Sequence, residues 1–269
     1  MLFLLNIEKK IIFGWSAKCG CTHIKNLWFY LNNIKGNDWH NRKYSARPLP
    51  QNISEYTIII FTRNPYKRLV SGFLDKYNKN GELRSVWGLN KKIIFKEFVD
   101  ILVTNDFSKI NRHHFTPQTS ERYNDRIFDS KSLKFFDICN IDYVYIEELF
   151  DKKIEKHIIN FRGPHQRNVL NLTNNTTIYK KSNNSTSINK KTRWTNKSTI
   201  HSCTKQTSFS KDEYNNQYVY NLNMDTYYLS KIDTKYFYNE EIKKKVFNYY
   251  KKDFIIFYEN GIDYINSPF

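Results

Sequence analysis

"FGWSAKCGCTHIKN", residues 13–26, joins two patterns of different period. Upstream, residues 7–13 are short and apolar enough to form a buried strand. Downstream, Ile24, Leu27, Trp28 and Leu31 recur at helical spacing. A chain turning from strand to helix through such a loop aims its first helical N–H groups at one point, along with the positive end of the helix dipole. The residues between suit an anion there. Lys18 supplies an ammonium, Gly20 lets the backbone come close, and Thr22 adds a hydroxyl donor. The order is not that of a Walker A loop, where the lysine follows the second glycine and precedes Ser or Thr. Taken alone, the stretch also reads as an ordinary tight strand-to-helix turn.

A second unit of the same kind follows. "YTIIIF" (56–61) is a fully apolar strand, and "TRNPYKRLVSGFLDKY" (62–77) continues from it. Pro65 suits the first helical turn, and Leu69, Val70, Phe73 and Leu74 form an apolar face. Arg63 closes the strand, with Ser71 two helical turns beyond it. The planar guanidinium can grip a phosphate with two donors, and the serine can add another. Individually, Arg63 also reads as a surface ion pair and Ser71 as a hydroxyl bonded to the preceding turn. Two such units in succession predict an α/β fold with a parallel sheet flanked by helices. Two anion-type loops at neighbouring strand ends point to a nucleotide with phosphates at both ends.

The rest of the chain is read more coarsely. "IIFKEFVDILV" (93–103) predicts a helix, and "RHHFTPQ" (112–118) a polar loop. "IDYVYIEELF" (141–150) reads as a third buried strand entering a helix. Residues 171–217, rich in Asn, Thr, Ser and Lys, predict an insertion or mobile loop within a single domain spanning 1–269. In "EEIKKKVFNYYKKDFIIFY" (240–258), Ile242, Val246, Tyr249 and Phe254 can line one face.

With 269 residues, 40% of them hydrophobic and 17% aromatic, the chain can bury a substantial core, which argues against disorder. The net charge of +17 suits an anionic partner, although an AT-rich coding sequence would enrich Lys, Asn, Ile and Tyr without any selection for charge. "MLFLL" is too short for a spanning helix or a signal-peptide core, and Glu8, Lys9 and Lys10 follow it. A soluble, cytoplasmic location is therefore expected rather than a Golgi lumen. Of the cysteines Cys19, Cys21, Cys139 and Cys203, the first two form a C-x-C with no second pair to complete a zinc site. Free thiols are expected.

These residues carry a resemblance. "AKCGCT" (17–22) resembles the 5′-phosphosulfate loop of sulfotransferases that use 3′-phosphoadenosine-5′-phosphosulfate (PAPS). "RNPYKRLVSGF" (63–73) is similar to their 3′-phosphate motif. "HFTPQ" (114–118), "IDYVYIEEL" (141–149) and "VFNYYKKDFIIFY" (246–258) resemble segments of the Golgi carbohydrate sulfotransferases of the chondroitin and dermatan type. The resemblance implies a three-layer, P-loop-like fold. It also implies in-line transfer of a sulfuryl group from PAPS to a carbohydrate hydroxyl, with no metal. Residues 18–22 (Lys18, Cys19, Gly20, Cys21 and Thr22) with Arg63 and Ser71 would hold the nucleotide, and Lys18 would also stabilise charge on the leaving oxygen. His114, two residues before "TP", would be the general base, with an imidazole pKa near neutrality suited to that task. His113 would point outward or pair with it, although both also read as exposed loop histidines.

Departures from the pattern are equally visible. The chain shows no membrane anchor, no cysteine pair follows "HFTPQ", and the 171–217 stretch replaces a segment that would help hold nucleotide and acceptor. Only "SINKKT" (187–192) is similar to a nucleotide-contacting remnant. Arg112 and the Lys-rich stretch would suit an anionic glycan, or are simply solvated; no nucleic acid partner is expected. The rival readings are a P-loop kinase, a noncatalytic binder of glycan or nucleic acid, and a sulfotransferase-like protein that binds nucleotide without turnover. The kinase reading lacks a Walker lysine and a strand-end Mg²⁺-binding aspartate.

Overall fold

The computed structural model describes residues 1–35, 48–78, 93–104, 110–119, 125–161 and 233–269. Within them a four-stranded sheet has the order β1 (Leu2–Asn6), β2 (Ile11–Trp15), β3 (Thr57–Thr62), β4 (Ser132–Asp137). The strands β2, β3 and β4 run parallel, as expected of strand–loop–helix units, while β1 pairs antiparallel with β2 as an edge. "MLFLL" is thus mostly strand. Asn6 Oδ1 accepts the Lys9 N–H at 2.7 Å in the intervening turn, and Lys10 takes a positive φ of 56°. This reversal moves the start of the second strand to Ile11, later than the apolar run from residue 7 predicts, and leaves Ile7 exposed at the turn.

Helices cover both faces. Ile12, Ile58 and Ile60 face a core completed by α2 (Pro65–Phe73), α3 (Phe95–Val103), α7 (Glu240–Tyr249) and α8 (Lys251–Glu259). Ile11, Phe13, Trp15, Ile59 and Phe61 face the opposite core, completed by α1 (Cys21–Leu31), α5 (Tyr143–Phe150) and α6 (Lys156–Ile159). Burial on both faces is why β2 and β3 read as continuous apolar runs rather than alternating ones. The chain is therefore a three-layer α/β protein.

Two sequence expectations are corrected. The helix expected within 141–150 is present and takes all of residues 143–150, leaving no strand ahead of it in that stretch. Asp142 caps α5 by accepting the Tyr145 N–H at 3.0 Å, and Ile146 and Phe150, four apart, are its buried residues. The third parallel strand lies earlier, in "SLKFFD", where only Phe135 is fully buried; an edge position leaves no clean apolar run to read. The C-terminal helical segment breaks at Tyr250, and its buried seam is Ile242, Val246, Tyr250, Phe254 and Phe257, with Tyr249 only half-buried. The 171–217 stretch, "SINKKT" and Cys203 lie outside the described residues. No helix among the described residues is long and apolar enough to cross a membrane.

Candidate active site

Parallel pairing decides where the loops converge. Trp15 stands opposite Phe61, and Thr62 opposite Asp137, so the segments after β2, β3 and β4 all leave the sheet at one carboxyl edge. Open α/β sheets bind ligands at this edge.

The first loop turns through two left-handed residues, Lys18 (φ 68°) and Gly20 (φ 70°). At Gly20 a Cβ would lie 2.5 Å from Ile138 Cγ1, so only glycine fits beneath the residue that follows β4. No side chain caps α1 and no acidic residue occupies its first turn. The helix start at Cys21 and Thr22 therefore offers backbone donors and the positive dipole end to an outside anion. Cys19 is different. Its N–H donates to Ser16 O at 3.1 Å, and its buried thiol donates to Gln118 Oε1 at 2.9 Å. Burial pushes that thiol up to about 11, which makes it a neutral packing group. Cys19, Cys21 and Cys139 are all free thiols.

The second loop is built against the first. Asn64 caps α2 by accepting from Tyr66 N and Lys67 N, with Pro65 at the first helical position. Arg63 reaches across with Nη1 to donate to Lys18 O at 3.0 Å. Ser71 lies half-buried two turns along α2. Arg68, which the sequence did not single out, is 2% exposed; it donates from Nε to Ala17 O at 2.9 Å and from Nη1 to Thr116 O at 3.0 Å. It joins the first loop to the histidine segment.

That segment is not a plain loop: α4 (Arg112–Phe115) is one helical turn. His114 is half-buried and its Nδ1 is buried with no hydrogen-bond partner among the described residues. Burial, reinforced by Lys76, His113 and Lys18, lowers its pKa to about 3. The expected value near neutrality is thereby corrected: the imidazole is uncharged throughout the physiological range. His113 is exposed, its ring 5.0 Å from that of His114, and with Ser16, Arg68 and Thr116 it lines a small polar cleft. Lys18 Nζ lies 3.0 Å from Asp75 Oδ2, which Lys76 also meets at 3.0 Å. Burial alone would raise the Asp75 carboxyl, but the two ammonium groups outweigh it and hold it below its ordinary value.

Two further residues escaped the sequence reading. Gln118, 1% exposed, bonds both loops, and the fully buried Asp253 of α8 accepts from Gln118 N, Thr119 N and Thr119 Oγ1. The terminal Gln of "HFTPQ" was a visible cue; Asp253, one acid in a Lys-rich amphipathic stretch, offered none.

An uncapped helix start after one parallel strand, crossed by an arginine from the next, is the arrangement by which open α/β sheets can meet an anion at their carboxyl edge. Its sequence matches the profile of the Sulfotransferase family over residues 2–259, and the chain belongs to that family. No curated protein and no solved structure gives a match.

Proposed function

We propose that the protein is a PAPS-dependent sulfotransferase with a carbohydrate hydroxyl as acceptor. The observation that supports this reading is the Arg63–Lys18 contact, which brings together the two proposed anion loops from neighbouring strands. The uncapped start of α1 fits a 5′-phosphate group, and Arg63 and Ser71 would hold the 3′-phosphate. When bound, PAPS supplies an activated sulfuryl group and a phosphate leaving group. Lys18 would supply positive charge to the leaving oxygen as it becomes more negative. His114 presents a neutral imidazole that would accept the acceptor hydroxyl's proton at a ring nitrogen, as a stronger base once a bound polyanion offsets the charges of Lys76 and Lys18.

The resemblance of "HFTPQ" to carbohydrate sulfotransferases supports the acceptor class, and the net charge of +17 suits an anionic glycan. We further propose one soluble domain, with the 171–217 stretch inserted in it. Incubation with radiolabelled PAPS and a glycan panel tests the activity: label should pass to a polysaccharide. Transfer to no glycan, together with nucleotide binding, would favour a protein that binds without turnover. In parallel, 3′-phosphoadenosine-5′-phosphate should raise the melting temperature well above the shift given by AMP, because binding only to the folded state stabilises it. Equal shifts would remove the second loop from the nucleotide site.

A further inference from the structure

We infer that Gln118 is a positioning residue that sets the spacing of the two phosphate loops, and that Asp253 holds Gln118 in that role. This rests on the donor reading above. The Gln118 side-chain amide uses both of its ends. Oε1 accepts from Cys19 Sγ at 2.9 Å and from Arg63 N at 3.1 Å, and Nε2 donates to Arg63 O at 2.8 Å. Cys19 immediately precedes Gly20, the residue before α1. Arg63 is the first residue after β3, and its guanidinium reaches Lys18 O. One side chain thus fastens the base of each loop to the other.

The chemistry restricts what can do this. Glutamate lacks the donor for Arg63 O, asparagine is one methylene shorter, and an apolar residue would leave the Arg63 backbone groups without this partner in a buried setting. The backbone that carries this side chain is fixed as well. Gln118 N donates to Asp253 Oδ2 at 2.8 Å, while Thr119 N and Thr119 Oγ1 donate to Asp253 Oδ1 at 2.7 and 2.6 Å. Asp253 lies in α8, so the C-terminal helix reaches the nucleotide loops through one carboxylate and one amide. Burial raises the Asp253 pKa, opposed by the Thr119 hydroxyl and by Arg68, so this acid is kept in an unfavourable place by its partners.

Loop spacing matters most to a ligand that engages both loops at once, because its second contact is made at an effective concentration set by geometry. A ligand held by one loop is insensitive to spacing. General loosening of the fold would weaken both ligands alike. The test is calorimetric binding of 3′-phosphoadenosine-5′-phosphate and of AMP to wild type and Gln118→Ala, with melting temperatures measured alongside. The bisphosphate should lose about tenfold or more in affinity and AMP less than about threefold, given the steep dependence of two-point binding on placement. Gln118→Asn and Asp253→Asn should shift the ratio of the two affinities the same way by less, and they serve if Gln118→Ala does not fold. Equal losses for both nucleotides, or an unchanged ratio, would overturn the positioning role and leave the donor reading intact. Wild-type protein that binds neither nucleotide would overturn the donor reading and this inference with it.

Discussion

Lys18 Nζ is 3.0 Å from Asp75 Oδ2, so the ammonium proposed to act on the leaving group is held by an acid two residues beyond the second loop's helix. The pairing adds an ionic link between the first loop and the helical segment that follows the second. It also competes with any anion for the same charge. Asp75→Asn should therefore tighten binding of 3′-phosphoadenosine-5′-phosphate several-fold, read by calorimetry, and Lys18→Ala should reduce turnover more than it weakens that binding. A Lys18→Ala enzyme with wild-type turnover would refute the charge role.

Arg63 has two tasks, its contact with Lys18 O and the proposed grip on phosphate. Arg63→Ala should weaken binding of the bisphosphate nucleotide by roughly 1.5–3 kcal/mol, the scale of a hydrogen bond to a charged group. Binding of AMP should change less. Titrations of both nucleotides check this.

His114 makes a prediction of definite sign in pH. Its folded pKa is lowered to about 3, against an ordinary value of 6.5. The unfolded chain therefore takes up a proton before the folded one, and stability falls as pH drops from about 6.5 towards about 3. His114→Asn should remove that part of the acid loss, as measured by denaturant midpoints across the window. In catalysis, His114→Ala should lower turnover by about 10²–10⁴-fold with nucleotide affinity nearly intact. His113→Ala should keep most of the activity. The acid limb of kcat/KM should lie well below neutrality, and that of kcat at higher pH, because a bound polyanion offsets the repulsion from Lys18 and Lys76. An active His114→Ala enzyme would exclude this base.

Gly20 is tested by adding one carbon. An alanine would carry the left-handed φ of 70° and push its Cβ to 2.5 Å from Ile138 Cγ1. Strain of about 1–2 kcal/mol from the backbone and roughly 1–3 kcal/mol from overpacking should add. Gly20→Ala should melt several degrees lower and lose nucleotide binding further, as the first loop lifts from Ile138. Ile138→Ala combined with it should restore part of the stability.

Local order was legible in the sequence wherever a segment is buried on both sides or closed by a strong terminus signal. "YTIIIF" could only be a buried strand, Pro65 marked the start of α2, and the 24–27–28–31 spacing named the buried face of α1. Lys18, Gly20 and Arg63 lie in the two loops, with Thr22 and Ser71 on the helices that follow, because chain direction alone puts them after adjacent strands. What depends on partners distant in sequence was not legible. Residues 143–150 are helical because Asp142 caps them and Ile146 and Phe150 find a core on one side, whereas the apolar content alone fits strand equally well. The lowered pKa of His114 arises from burial and from cations brought in by α2 and the first loop, which no reading of "RHHFTPQ" contains. Gln118 and Asp253 are 135 positions apart and meet only when α8 packs back beneath the loops. The sequence by itself determined the types of residue that can meet an anion and the strands that carry them. Tertiary packing decided the charge state of His114 and the spacing of the loops, because desolvation and long-range hydrogen bonds exist only once the layers have closed.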